Sequence, residues 1–155
     1  MARMLNEVIA LLNRLIQIDH AAIETYKTVK VQLGDSVDGA EFGAFLADHR
    51  RHVDALTIVV RNLGGEPVSH GHVRKGLRAS TVDLRGLIEE GVLIEAMRAH
   101  EAEATAVYEN AASQPGIPVD VVAVLKQNLV DERRHHAWIV ARLEAARRAR
   151  PARTK

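Results

Sequence analysis

The chain has 155 residues, a formal charge of +1 from 21 Lys+Arg against 20 Asp+Glu, and no cysteine. The missing cysteines exclude disulfides, iron–sulfur clusters, thiolate zinc sites and a cysteine nucleophile, and the even charge balance removes any global pull toward nucleic acid. Aromatic residues make up 3%, prolines number 4, and Ala, Leu, Val, Glu and Arg dominate, a mixture that favours helices and a single all-α domain.

The first residues, Met1-Ala2-Arg3-Met4, lead into an amphipathic stretch rather than an apolar leader. Leu5, Val8, Leu12, Leu15, Asp19, Ala22, Tyr26, Val29 and Leu33 follow in steps of three or four, which predicts one long helix. Gly34-Asp35-Ser36 ends it. Asp38 with Glu41 resembles a capping box and predicts the next helix start. That second helix carries Phe42, Phe45, His49, His52, Leu56, Val59 and Leu63, and Gly64-Gly65-Glu66-Pro67 closes it.

From Gly64 to Ser80 there is no clear period. These 17 residues reach roughly 55 Å when extended, enough to run the length of a bundle. A short helix around Val82–Gly86 is compatible with the pattern, and His70 with His72 reads as a solvated loop pair. A third helix then shows Leu87, Ile94, Met97, Glu101, Ala104, Tyr108 and Ala111. After Gln114-Pro115-Gly116-Ile117-Pro118, a fourth shows Leu125, Leu129, Glu132, His135 or His136, Ile139 and Leu143. Short links make each neighbouring pair an antiparallel hairpin. The expected fold is therefore a four-helix bundle of two hairpins joined by a long crossover. Residues 1–148 form the domain, and residues 149–155 form a basic solvated tail with no aromatic partners for bases.

Each apolar stripe is interrupted by ionisable residues: Asp19, then His49 with His52, then Glu101, then Glu132 with His135. Buried carboxylates are costly without partners. Counted from its own turn, each group lies at a similar depth, so the polar residues are expected in one layer. The halves also repeat. Asp19 and Tyr26 recur 82 residues later as Glu101 and Tyr108, and Asp48-His49-Arg50-Arg51-His52 recurs 83 residues later as Asp131-Glu132-Arg133-Arg134-His135. Each hairpin thus supplies a carboxylate from its first helix and an acid-or-His plus His pair, at i and i+3, from its second. Such a cluster either neutralises itself as a metal-free network of acid–His pairs or binds a cation. Asp48 and Asp131 read either as acceptors that orient a ligand His or as exposed acids. Arg50, Arg51, Arg133 and Arg134 read as a solvated face.

Leu12-Asn13-Arg14-Leu15 with Asp19, Ala22, Ile23 and Tyr26, and His49-x-x-His52 followed by Leu63-Gly64-Gly65-Glu66-Pro67, resemble the first two helices of bacterioferritins. With Asp131-Glu132-Arg133-Arg134-His135-His136-Ala137-Trp138-Ile139, they give a resemblance to the ferritin-like di-iron carboxylate proteins, and more closely to bacterial ferritin-like domains of unknown function, over about residues 5–145. The resemblance implies metal ligands at Asp19, His49, His52, Glu101, Glu132 and His135. It departs at His49, where the family pattern has a bridging Glu. The nitrogen and oxygen donors suit a transition metal, iron first, with zinc or manganese as alternatives.

Three functions compete. One is a redox metalloprotein, a metal-dependent oxidoreductase reacting with dioxygen or peroxide in a stress response. A second is a non-catalytic zinc or single-metal bundle. The third is a structural or interaction bundle with a vestigial site. The remaining expectations are a cytoplasmic protein, with no nucleic acid and no membrane as partner. A homodimer is also expected from the family's habit of self-association, with Trp138 either at an interface or capping the core.

Overall fold

The structure is a computed structural model that describes residues 1–69 and 90–149. His70, His72, the Val82–Gly86 segment, Leu87 and the end of the basic tail lie outside the described residues. Among the described residues there are four helices: α1 (Ala2–Leu33), α2 (Val37–Asn62), α3 (Glu90–Ser113) and α4 (Val119–Ala149). Their partners follow the expected hairpins, with α1 packed along α2 and α3 along α4, and lighter contacts from α1 to α3 and α2 to α4.

The predicted stripes are buried over their middles, while Leu5 near the start of α1 is exposed and Leu33, Leu63 and Leu143 near helix ends are half-buried. Val8, Leu12, Leu15, Ala22, Tyr26 and Val29 of α1 are buried, as are Ile94, Met97, Ala104, Tyr108 and Ala111 of α3. On α4 the choice between His135 and His136 is decided for His135, which is fully buried while His136 is half-buried. Full burial of each large aliphatic side chain contributes about 1.5–3 kcal/mol.

The turns rest on local chemistry. Gly34 adopts φ 57 and lets α1 stop. The cap of α2 differs from expectation. Ser36, not Asp38, is the N-cap: its Oγ accepts a hydrogen bond from the Gly39 amide at 3.0 Å. Asp38 turns aside to pair with Arg142 of α4 at 2.8 Å. The turn is tight enough that a Cβ on Gly39 would lie 2.2 Å from the Gly34 carbonyl oxygen. Past α2, Asn13 of α1 pins the start of the crossover. Its Nδ2 donates to the Glu66 carbonyl at 3.0 Å, and its Oδ1 accepts from the Val68 amide at 2.8 Å.

The core falls into two apolar clusters. One gathers Leu12, Leu15, Leu56, Val60, Tyr108, Ala111, Leu125 and Leu129. The other gathers Tyr26, Val29, Phe42, Phe45, Leu46, Ile94, Met97 and Ile139. The 82–83 residue repeat exchanges them: Leu12 and Leu15 correspond to Ile94 and Met97, Leu56 to Ile139, Tyr26 to Tyr108, and Phe42 and Leu46 to Leu125 and Leu129. The hairpins are therefore related by a pseudo-two-fold axis across the bundle, and their turns lie at opposite ends. Accordingly α2 ends at the Leu56–Val60 end of the bundle and α3 begins at the Ile94–Met97 end. Trp138 stacks edge-on against Phe42 and Phe45, with ring centroids at 5.4 and 5.6 Å, so it caps the second cluster.

Candidate metal centre

Between the two apolar clusters lies the polar layer. Asp19 of α1, His49 and His52 of α2, Glu101 of α3, and Glu132 and His135 of α4 are all 0% exposed. The structure brings all six together, in two overlapping quartets. Asp19, His49, His52 and Glu132 each offer a ligand atom within 4.8 Å of the others, and so do His49, Glu101, Glu132 and His135. Each half thus owns one carboxylate and one imidazole, and His49 and Glu132 are common to both.

Within the first hairpin Asp19 Oδ1 meets His49 Nδ1 at 2.8 Å and His52 Nδ1 at 3.3 Å, and further bonds run between the repeats. Tyr26 donates to Glu101 Oε1, and its counterpart Tyr108 donates to Asp19 Oδ2. His52 Nε2 lies 3.0 Å from Asp131 Oδ2, and its counterpart His135 Nε2 lies 2.9 Å from Asp48 Oδ2. Each Asp therefore fixes the imidazole of the opposite hairpin and leaves Nδ1 facing the layer. Two arginines tie the Asp pair together. Arg51 reaches Asp48 at 2.8 Å and Asp131 at 2.6 Å, while Arg134 reaches Asp48 and, at 3.2 Å, Asp131. Ring stacking adds restraint: Phe45 lies over His135 at 4.2 Å and Tyr26 over His49 at 5.3 Å.

Several ligand atoms have no hydrogen-bond partner in this buried layer. They are Glu101 Oε2, His135 Nδ1 and both Glu132 oxygens, of which Oε1 has ion-pair contacts alone, with His52 at 3.2 Å and His49 at 3.5 Å. A buried acceptor left unmatched costs about 1–3 kcal/mol, more when charged. A cation coordinated by these atoms removes that cost, and a set of three carboxylates and three imidazoles suits a transition metal better than calcium or magnesium.

The electrostatics show how the layer balances without a cation. Burial opposes ionisation of Asp19, but hydrogen bonds with His49 and His52 outweigh it and hold the carboxyl below its usual value. Glu101 is held well below the usual range in the same way, against burial, by His135 and His49. Burial disfavours the imidazolium of His52, yet Asp19 and Glu132 raise it to about 10. His49 is likewise raised well above its ordinary value, against burial, by Glu132, Asp19 and Glu101. Glu132 is the exception. Burial dominates there and pushes it up to about 8 despite the neighbouring imidazoles. Protons on His49, His52 and Glu132 thus occupy the electrostatic place that a cation takes.

The chain belongs to the DUF2383 family. The profile of that family, a domain of unknown function, matches residues 7–114, which include Asp19, His49, His52 and Glu101. None of the curated proteins matches the chain. Among solved structures, a dodecameric thioferritin, the bacterioferritin-related protein from Bacteroides fragilis, superposes with a TM-score of 0.77 at 18% identity, covering 97% of this chain and 92% of that one. This DUF2383 protein thus has the ferritin-like fold that its helix motifs implied.

Sequence reasoning named all six residues of the layer and placed them at one height. It left Asp48 and Asp131 undecided, and the structure makes them acceptors for His135 and His52. It assigned Arg51 and Arg134 to a solvated face. They are half-exposed but anchor both Asp residues. The signal was available in the repeated Asp-x-x-Arg spacing, which puts each Arg one turn beyond its Asp. Asn128 was not singled out. It is buried and donates to Tyr108 Oη at 3.4 Å, while its repeat counterpart Phe45 stacks on His135. No helix among the described residues is long and apolar enough to cross a membrane.

Proposed function

We propose that this protein is a ferritin-like metalloprotein whose central layer holds transition-metal ions, iron first, through Asp19, His49, His52, Glu101, Glu132 and His135. The observation that carries this reading is the pair of overlapping buried quartets, together with the unmatched ligand atoms Glu132 Oε1 and Oε2, Glu101 Oε2 and His135 Nδ1. Redox-active iron in this layer would react with dioxygen or peroxide, a chemistry that fits a role in oxidative-stress defence. The chain's own residues have identifiable parts in this. Asp48 and Asp131 orient the imidazoles, Tyr26 and Tyr108 hold the terminal carboxylates through their hydroxyls, and the two apolar clusters exclude water from above and below the layer.

Protein purified from iron-supplemented culture tests the reading. Iron retained by the wild type and lost on Glu132→Ala or His135→Ala, with an absorption band that appears on oxidation and with peroxide consumption, is the expected result. Protein that holds no metal and consumes no peroxide refutes it. A second reading, a non-catalytic zinc or single-metal bundle, is favoured by one feature: His49 replaces the carboxylate that its counterpart Glu132 supplies. One zinc per chain without any redox response selects that reading.

The bundle is also proposed to work in the cytoplasm as a homo-oligomer. The similar thioferritin is dodecameric, and sedimentation of the purified protein measures the assembly size here.

A further inference from the structure

Resting on the metal-binding reading, we infer that His49 is a bridging ligand, giving one ring nitrogen to each half of the layer, so that the centre is a metal pair joined by an imidazole and a carboxylate. The pseudo-two-fold axis makes the argument. Every other member of the site has a counterpart serving the opposite half: Asp19 and Glu101, His52 and His135, Tyr26 and Tyr108, Asp48 and Asp131. His49 and Glu132 are each other's counterparts, and they alone belong to both quartets. A residue in that position serves two ions if it has two donor atoms facing opposite ways.

His49 has them. Its Nδ1 lies 2.8 Å from Asp19 Oδ1, in the first half, and its Nε2 lies 3.2 Å from Glu101 Oε1, in the second. Neither nitrogen is committed to a backbone carbonyl or to one of the outer Asp residues, in contrast to His52 and His135, whose Nε2 atoms point away to Asp131 and Asp48. The ring plane is set by stacking on Tyr26, with 26° between planes, so the two nitrogens keep these directions. Across the layer, Glu132 Oε1 lies 3.2 Å from His52 Nδ1, in the first half, and its Oε2 has no hydrogen-bond partner. In bridging, two metal–nitrogen bonds form, the ring N–H bonds break, and the protons pass to buffer. No electron is transferred.

The consequence is a wider pair than a double carboxylate bridge allows. Carboxylate-clamped dimetal sites hold their ions about 3.5–4 Å apart. An imidazole ring interposed between the ions increases that separation, and it also transmits spin coupling between them.

The test loads the full-length protein with Cu2+ and reads anomalous diffraction at the copper edge together with the electron paramagnetic resonance of the same preparation. The expected result is a pair of anomalous peaks flanking the His49 ring, one at each nitrogen, with loss of most of the isolated-ion signal through coupling. His49→Ala should lose the coupling or one of the two peaks, and His49→Glu, which restores the repeat, should keep both peaks at a shorter separation. Two peaks unchanged in position and coupling in His49→Ala overturn the bridge. A single peak on one side of the ring overturns the bridge while leaving the metal-binding reading intact, and no peak in the layer overturns both.

Discussion

Replacing Glu132 by Gln in metal-free protein should raise stability, although it removes a residue at the heart of the site. Glu132 is pushed by burial from 4.5 to about 8. Between those values the folded protein keeps a proton that the unfolded chain has released. Stability therefore falls as pH rises through this window, and the loss is complete above about pH 8. At about 1.4 kcal/mol per pKa unit, the cost at pH 7 is up to roughly 3 kcal/mol. Glutamine has nearly the same shape and no proton to lose. Allowing for its own buried amide, Glu132→Gln should stabilise the metal-free protein by about 1–3 kcal/mol at neutral pH, which is about 3–10 °C in Tm for a chain of this size. Thermal melts in chelator from pH 4 to pH 9 measure it. The gain should be absent at the acid end and level off near pH 8. In metal, the ranking should reverse, because Gln lacks the charge that a cation requires. A variant that melts at or below the wild type throughout the series, or that keeps the full metal-dependent gain, refutes the reasoning.

Further outcomes follow from the outer ring of the site. Asp48→Asn and Asp131→Asn should each weaken metal binding by about 10–100-fold in a chelator competition, and by similar factors, because each orients the imidazole of the opposite hairpin; an effect from one alone contradicts the pseudo-symmetry. Metal affinity should climb with pH up to about pH 10, since His52 at about 10 and Glu132 at about 8 must both release protons to bind; affinity measured by titration that is flat between pH 6 and 9 contradicts this. Ser36→Ala should cost about 1 kcal/mol, or about 2–4 °C, in thermal melts. A smaller loss from Ser36→Ala than from Glu41→Ala would return the cap to Asp38.

How much of this was legible beforehand varies by residue. Periodicity located Asp19 and Glu101 on buried stripes because a helix places residues three and four apart on one face regardless of what packs there. The repeat tied His52 to His135 for the same reason. Val59 shows the limit: the stripe assigned it to the core, but Val60 is the fully buried neighbour, a one-residue rotation that the spacing alone does not resolve. The start of α2 shows another. Both Ser36 and Asp38 have capping chemistry, and the choice depended on where Arg142 of a distant helix reaches.

The sequence by itself determined four helices, two matched hairpins, and a set of six polar residues at one depth, all of which are properties of spacing along single helices. Tertiary structure decided which hairpin serves which. It crossed Tyr26 to Glu101 and Tyr108 to Asp19, gave each outer Asp the other hairpin's imidazole, and turned the two nitrogens of His49 toward opposite halves. The physical reason is that a helical stripe records which side chains face inward but not the direction of the helix that meets them. Here the two hairpins lie head to tail about a pseudo-two-fold axis, and that relation exists only once both are packed.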